Sequence, residues 1–515
     1  QPPQPAARAR EGSSGDKLVH LTDIENKGQV SDLPFLLTVF SEADAMLSIR
    51  DWFLNHDCQG FSRREFLRIG SLGAGALSLP ALLRSKAIAG VGADVLRDKS
   101  VVLLFLQGGP PHIEFFDPKL SAPSEIQSIT GEVQTKQPGI TFGATFPRLA
   151  AMTERFTIVR SYGSGQSGHT YGEVVSGNNP TKASISSIYA RVRGNNHPQS
   201  GLPTNVLILP EAVQDGLKMG SNFETGALPT LTQPGSFGST YAAFNPSGGG
   251  DLKRDMELAV AADRFGDRRS LLQGLDRLRR NADSSGLISG LDTYQQQAFE
   301  MITRGVAEAF DLSKEDSRTV ERYDTTKLFK MEDLTRWNDM KRASNLLGRQ
   351  MLLARRLCEA GCGFVTVSDC GWDYHANGNS PKRMAGIYPM GGQVDHAVAT
   401  FLEDVNERGL SEKILLIVTG EMGRTPRLNN NGGRDHYGEL TPLLVAGGGL
   451  KMGQVIGQSD SHATRAVGES YRPQHLLATI MHTLFDVGRL RLEQHVPREI
   501  IRFAETSQPI DHLLA

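Results

Sequence analysis

Ile414-Leu415-Leu416-Ile417-Val418 is followed by Thr419-Gly420-Glu421-Met422-Gly423-Arg424-Thr425-Pro426, then Gly432-Gly433-Arg434-Asp435-His436-Tyr437, then a second apolar run, Leu443-Leu444-Val445-Ala446. An apolar run of that length without alternation predicts a strand covered on both faces, the central strand of an α/β sheet. The polar cluster between the two runs then falls at strand ends. In open α/β sheets ligands collect outside the carboxyl ends of the strands. Glu421, Arg424, Asp435 and His436 are therefore candidate site residues.

Working outward, Val394, Val398, Phe401, Leu402 and Val405 share one face of a predicted helix over 393–406, which returns the chain to this strand. Before it, Phe364-Val365-Thr366-Val367 predicts another strand, ending in Gly371-Trp372-Asp373-Tyr374-His375-Ala376-Asn377. Asp373 and His375 lie two apart on an extended segment, so both can point the same way and share a divalent ion; both residue types also make plain turns. The earliest strand is 101–106, followed by Gly108-Gly109-Pro110-Pro111-His112, where His112 is either a ligand, an orienting group or an ordinary loop histidine. A strand over 156–160 leads into Ser161-Tyr162-Gly163-Ser164-Gly165-Gln166-Ser167-Gly168-His169-Thr170 ahead of a helix-like segment. An oxygen nucleophile gains from a helix start, where free amides stabilise negative charge; simple Gly/Ser flexibility is the other reading. Strand, helix, strand, repeated, predicts a largely parallel sheet flanked by helices, with right-handed crossovers.

The 515 residues are 39 % hydrophobic and 22 % charged, an average composition for one large α/β domain with insertions. A net charge of −2 offers no field for nucleic acid or anionic lipid, so no nucleic-acid partner is expected. Residues 251–360 turn charged and helix-patterned and predict a helical insertion over the sheet. Cys358, Cys362 and Cys370 lack zinc-type paired spacing and are expected as small buried side chains; Cys58 lies earlier, ahead of the twin arginines.

Ser62-Arg63-Arg64-Glu65-Phe66-Leu67-Arg68, the uncharged stretch 69–83 and Ala87-Ile88-Ala89 read as a twin-arginine export signal over 46–89. Its apolar part is shorter than the roughly 20 residues of a membrane helix, so no permanent span is expected. The twin-arginine translocase becomes a transient partner, and the expected location is periplasmic or cell-surface. Met46 is the expected natural start, with residues 1–45 a mis-start or a disordered extension. The mature domain is expected over 100–515.

Residues 108–119, 371–377, 420–426, 432–437 and 446–457, with the twin-arginine start, resemble in order the motifs of the exported domain-of-unknown-function 1501 family, from about Met46 to the C-terminus. That family is placed in the alkaline phosphatase and sulfatase superfamily, so the resemblance implies an alkaline phosphatase-like α/β sheet, a site with one or two metal ions and a hydroxyl nucleophile. The superfamily nucleophile lies about ten residues before the glycine of a Thr/Ser-Gly-x-x-Pro turn. Ser176-Gly177-Asn178-Asn179-Pro180 thereby implies Ser167. The sulfatase pattern Cys/Ser-x-Pro-Ser-Arg is absent, Glu421-Met422-Gly423 stands where the superfamily has Asp-His-Gly, and Gln107 stands where it has an early aspartate.

The resulting expectation is a metal-dependent hydrolase of phosphate or sulfate esters acting on a small-molecule or glycan ester. Asp373, His375, Glu421, Asp435, His436 and His112 would hold a divalent ion (Zn, Mn, Ca or Mg). Ser167 would be the nucleophile, His169 would orient the substrate or protonate the leaving group, and Arg424 would hold the anionic oxygens. The alternative is an exported carbohydrate- or protein-binding protein that keeps the fold without the chemistry, a reading favoured by the missing early aspartate.

Overall fold

The computed structural model describes residues 95–247, 306–493 and 496–514. The twin-arginine stretch, residues 1–45, Cys58 and the first part of the charged segment, 251–305, lie outside the described residues.

Seven strands form the central sheet: β1 (Ser100–Gln107), β2 (Thr157–Val159), β3 (Asn205–Ile208), β4 (Phe364–Cys370), β5 (Ile414–Gly420), β6 (Leu444–Gly447) and β7 (Val455–Ile456). Their spatial order is β7-β2-β6-β5-β1-β4-β3. β5, β1, β4 and β3 are parallel neighbours. β6 runs antiparallel to both β5 and β2, and β7 is parallel to β2. The sheet is thus largely parallel with one reversed strand. The reversal follows from the connection: between β5 and β6 the chain forms no helix, only loops and a two-residue ladder of Gly423 and Arg424 with Tyr437 and His436. A parallel neighbour would need a crossover.

The apolar runs lack alternation because both faces are covered. Every residue of β4 and β5 is buried, as is all of β1 after Ser100. The helices that cover them are α1 (Tyr171–Ser176), α2 (Ile185–Arg193), α3 (Leu347–Glu359), α4 (Ile387–Glu407) and α5 (Pro473–Leu484). Val102, Leu104 and Leu106 join Val365, Val367, Leu416 and Val418 in the core that includes residues of α3 and α4. Their alternates Val101, Leu103 and Phe105 join Phe364, Leu415 and Ile417 in the core with α1, α2 and α5. Each large side chain so buried contributes roughly 1.5–3 kcal/mol, which makes β1, β4 and β5 the firm base of the molecule. α4 begins six residues earlier than its apolar face suggests, because Pro389 sits in the first turn, where a missing N–H breaks no helical bond.

In the described part of the charged segment, short helices Ala307–Phe310, Ser317–Arg322 and Glu332–Thr335 precede α3. Cys358, Cys362 and Cys370 are buried and form no disulfide. No described helix is long and apolar enough to cross a membrane.

Candidate metal centre

β5, β1 and β4 are adjacent and parallel, so their carboxyl ends deliver Glu421, Gly108 and Asp373 side by side. Gly108 has φ +113°, and a Cβ there would fall 2.6 Å from the Asp373 nitrogen. Only glycine lets these two loops approach so closely. The Gly108 N–H donates to Glu421 Oε1 at 2.9 Å.

Three histidines surround the Asp373 carboxylate. His169, on the loop after β2, has Nε2 4.0 Å from Oδ2; His375 has Nε2 3.2 Å from Oδ1; His436, on the ladder after β5, has Nε2 3.6 Å from Oδ1. Each ring is held from behind. His169 Nδ1 lies 2.8 Å from Glu421 Oε1, His375 Nδ1 2.7 Å from Asp435 Oδ1, and His436 Nδ1 3.2 Å from the Ser167 carbonyl. A carboxylate or a carbonyl only accepts, so each of these bonds puts a ring proton on Nδ1, and in the neutral ring Nε2 is then a bare lone pair. The lone pairs therefore face a carboxylate. That arrangement repels unless a cation or a proton lies between them.

His169, Asp373 and His436 each offer a donor atom within 4.8 Å of the other two. His436 Nε2 and Glu421 Oε2 are buried without a hydrogen-bond partner. Orphaned donors beside histidines held at Nδ1 fit a metal ion, in the carboxylate–histidine–metal pattern. Burial alone would raise the Asp373 carboxyl. The contact with His436 and the Arg424 guanidinium, joined by His375 and His169 when these are protonated, outweigh it and hold the group well below the usual carboxylate range.

The expected ligands thus divide. Asp373, His375 and His436 come together as expected, whereas Glu421 and Asp435 sit behind histidines and orient them. His169, expected to act on the substrate, joins the cluster of donor atoms. Arg424 is fully buried. Its Nε donates to the Gly109 carbonyl at 3.0 Å, Nη1 to the Arg434 carbonyl at 3.1 Å, and Nη2 to the Gly108 carbonyl and Asp373 Oδ1. Its donors are thus taken up by the loops it ties together, where the sequence placed them on the substrate's anionic oxygens. Ser167 is exposed, and its carbonyl receives His436.

His112 is not in the cluster. Its Nε2 lies 3.2 Å from the Ala463 carbonyl and its Nδ1 is buried without a partner. The motif around it is structural: Glu114 forms a buried ion pair with Arg434 at 3.0 Å, and Asp117 accepts from Ser459 and faces Lys119 at 3.2 Å. Burial, countered in part by Asp117, lowers the His112 pKa to about 4. A depressed histidine is neutral in the fold where the unfolded chain binds a proton, so stability falls as pH drops from about 6.5 to about 4. We expect His112→Leu to flatten that part of the urea-stability profile by at most about 3 kcal/mol; a profile parallel to wild type would contradict the assignment.

One side of the centre is formed by residues the sequence did not single out. The turn Phe223–Thr225 sets the Phe223 ring 4.2 Å from His169. Glu224 is fully buried with neither carboxylate oxygen hydrogen-bonded, and burial, with repulsion from Glu421 and Asp373, pushes its pKa well up. Asp339 is pushed up to about 6 by burial and by Asp373. A lone acid in a loop-rich stretch carries no sequence signal.

The sequence matches the family described as "Protein of unknown function (DUF1501)" over residues 98–494. No curated protein matches it. Similar solved structures include Ps i-CgsB, with a TM-score of 0.32 and 10% identity over 80% of this chain and 77% of that one. The PsFucS1 sulfatase from Pseudoalteromonas sp. gives a TM-score of 0.30 and 12% identity over 75% and 68%. The alkaline phosphatase from the Antarctic bacterium TAB5 gives 0.28 and 13% over 71% and 95%.

Proposed function

The chain belongs to the DUF1501 family, and we propose that it is an exported, metal-dependent hydrolase of phosphate or sulfate esters. The reading rests on one observation above the others: three histidines, each held at Nδ1 by its own acceptor, turn Nε2 toward the single carboxylate of Asp373. His169, Asp373 and His436 would hold the ion, with His375 beside them. A divalent ion bound there would polarise the ester and favour the ionised form of an attacking hydroxyl.

The chain's own residues supply the rest. Arg424 fixes the Asp373 carboxylate and the carbonyls of the loop after β1. Asp435 orients His375, whose side chain is 23% exposed, so that its Nε2 can take or return a proton. Ser167 offers a hydroxyl on the segment whose carbonyl holds His436. Twin arginines at 63 and 64, followed by a short apolar stretch, support export through the twin-arginine translocase to the periplasm or cell surface. A glycan or small-molecule ester is the substrate class.

A second reading, a binding protein without chemistry, is favoured by the Arg424 contact to Asp373 and by Gln107, whose Oε1 accepts from Ser368 at the place of an acidic ligand. Elemental analysis separates the two. We expect about one divalent ion per chain in wild type, lost in Asp373→Ala and in His436→Ala, with affinity lowered about 10–100-fold in Glu421→Gln, whose carboxylate holds His169 at Nδ1. A wild-type protein that stays empty after reconstitution with zinc or manganese would sink the hydrolase reading.

A further inference from the structure

An anionic ester entering this centre faces the Asp373 carboxylate, while the arginine in contact with it, Arg424, already has its donors engaged. A free guanidinium does exist nearby. Arg342 is 8% exposed, its Nε is buried without a partner, and among the described residues it forms no hydrogen bond or ion pair. An arginine so far withdrawn from water without a counter-ion is unusual, because burial of an unpaired charge is costly and long cations are normally paired when buried.

Its position links it to the centre. Arg342 lies in the segment that follows the turn Asn338–Met340, and this segment packs against the strand-end loop carrying Asp373: a Cβ at Gly371 would meet the Ala343 Cβ at 3.0 Å. Lys341 and Ala343, on either side of Arg342, line a cavity of about 340 Å³ together with Lys218 and Met219, and Arg342 is not among its walls. Arg342 is instead felt electrostatically by Glu224 and by Cys370, the last residue of β4. Glu224 also feels Glu421 and Asp373, so it is near both the guanidinium and the centre. Asn222 closes the same side, with Nδ2 3.4 Å from Cys370 Sγ and 3.3 Å from the Asp339 carbonyl, while Phe223 packs on His169. Glu224 does not neutralise the arginine, since no carboxylate of the described residues stands within ion-pair distance of Arg342 and burial favours the neutral form of Glu224.

We propose that Arg342 is the residue that binds the tetrahedral oxyanion, phosphate or sulfate, of the substrate. The guanidinium fork presents parallel N–H donors that match two oxygens of such a group. This inference rests on the ester-hydrolase reading for its substrate class, and its test is kept separate from turnover. Binding of inorganic phosphate and of sulfate would be measured by calorimetry on the purified, metal-analysed wild-type chain, on Arg342→Gln and on Arg342→Lys. We expect wild type to bind at least one of the two ions, Arg342→Gln to bind it at least about tenfold more weakly, and Arg342→Lys to fall between them. The metal content of all three should be equal. Equal anion affinity in wild type and Arg342→Gln overturns the proposal, and so does a wild type that binds neither ion. A chain that binds phosphate through Arg342 yet cleaves no ester would retain the anion site and remove the hydrolase reading.

Discussion

Arg424→Met is expected to lower folding stability by about 3–5 kcal/mol in metal-free buffer and by clearly less once a divalent ion is supplied. The first number follows from what the guanidinium leaves behind. The Asp373 carboxylate is 8% exposed at its side chain and keeps its charge in the fold, so removing its cation strands a buried anion. The Gly108, Gly109 and Arg434 carbonyls lose their donors at the same time, each costing about 1–3 kcal/mol if water cannot replace it. The ladder that carries His436 would loosen, because Arg424 pairs with it in register. Methionine fills the space of the alkyl stem and isolates the loss of charge and of the hydrogen bonds. The second half of the expectation is a linkage argument. A cation held by Asp373, His169 and His436 binds the folded state and supplies the charge that Arg424 gave up, so metal should stabilise the variant more than wild type. Urea denaturation of both proteins, in chelator and with zinc, measures all four stabilities. Equal stabilisation by zinc in both would mean that the ion does not reach Asp373.

The strands were legible because the physics that buries them is local. A run such as 414–418 with no polar residue has no face to turn to water, and β5 lies fully buried in the middle of the sheet. That Asp373, His375 and His436 come together at the strand ends was legible for a related reason, since an open sheet gathers its loops there. The direction of β6 was not, because it depends on a crossover helix that the 421–443 stretch does not form. Nor was the division of labour among the polar residues. Whether a carboxylate meets a metal or the far nitrogen of a histidine is decided by a displacement of a few ångströms. One oxygen of Glu421 and one of Asp435 meet the Nδ1 of a histidine. His112 and Glu114 sit within a motif, yet one is closed off on a carbonyl and the other is paired with Arg434. Arg342 and Glu224 were invisible, since they become neighbours of the centre only when segments distant in sequence fold over it.

Asp369→Asn is expected to stabilise the protein by up to about 4 kcal/mol at pH 8 while changing little at pH 4. Asp369 is the penultimate residue of β4, fully inside the sheet, and its Oδ2 accepts the Trp372 indole N–H at 2.8 Å while Oδ1 has no partner. Burial pushes its pKa up to about 7, with only the Trp372 bond opposing. The sign follows. A carboxyl whose folded pKa lies above its unfolded value keeps a proton in the fold that the unfolded chain has already released. Stability therefore declines as pH rises from about 4 to about 7 and levels off once both states are ionised. Asparagine offers the same acceptor to Trp372, adds an N–H donor near the unpartnered Tyr374 hydroxyl, and carries no charge to bury. The gap between variant and wild type should then open across that pH interval and stay constant above it; parallel curves would show that Asp369 ionises freely in the fold. Both proteins would be stripped of metal, so that the histidines around Asp373 titrate alike in each. Trp372 directly precedes Asp373 and rests on the carboxyl in question. The same substitution should therefore hold the metal centre together at alkaline pH, where the charge on Asp369 weakens the strand end beneath it.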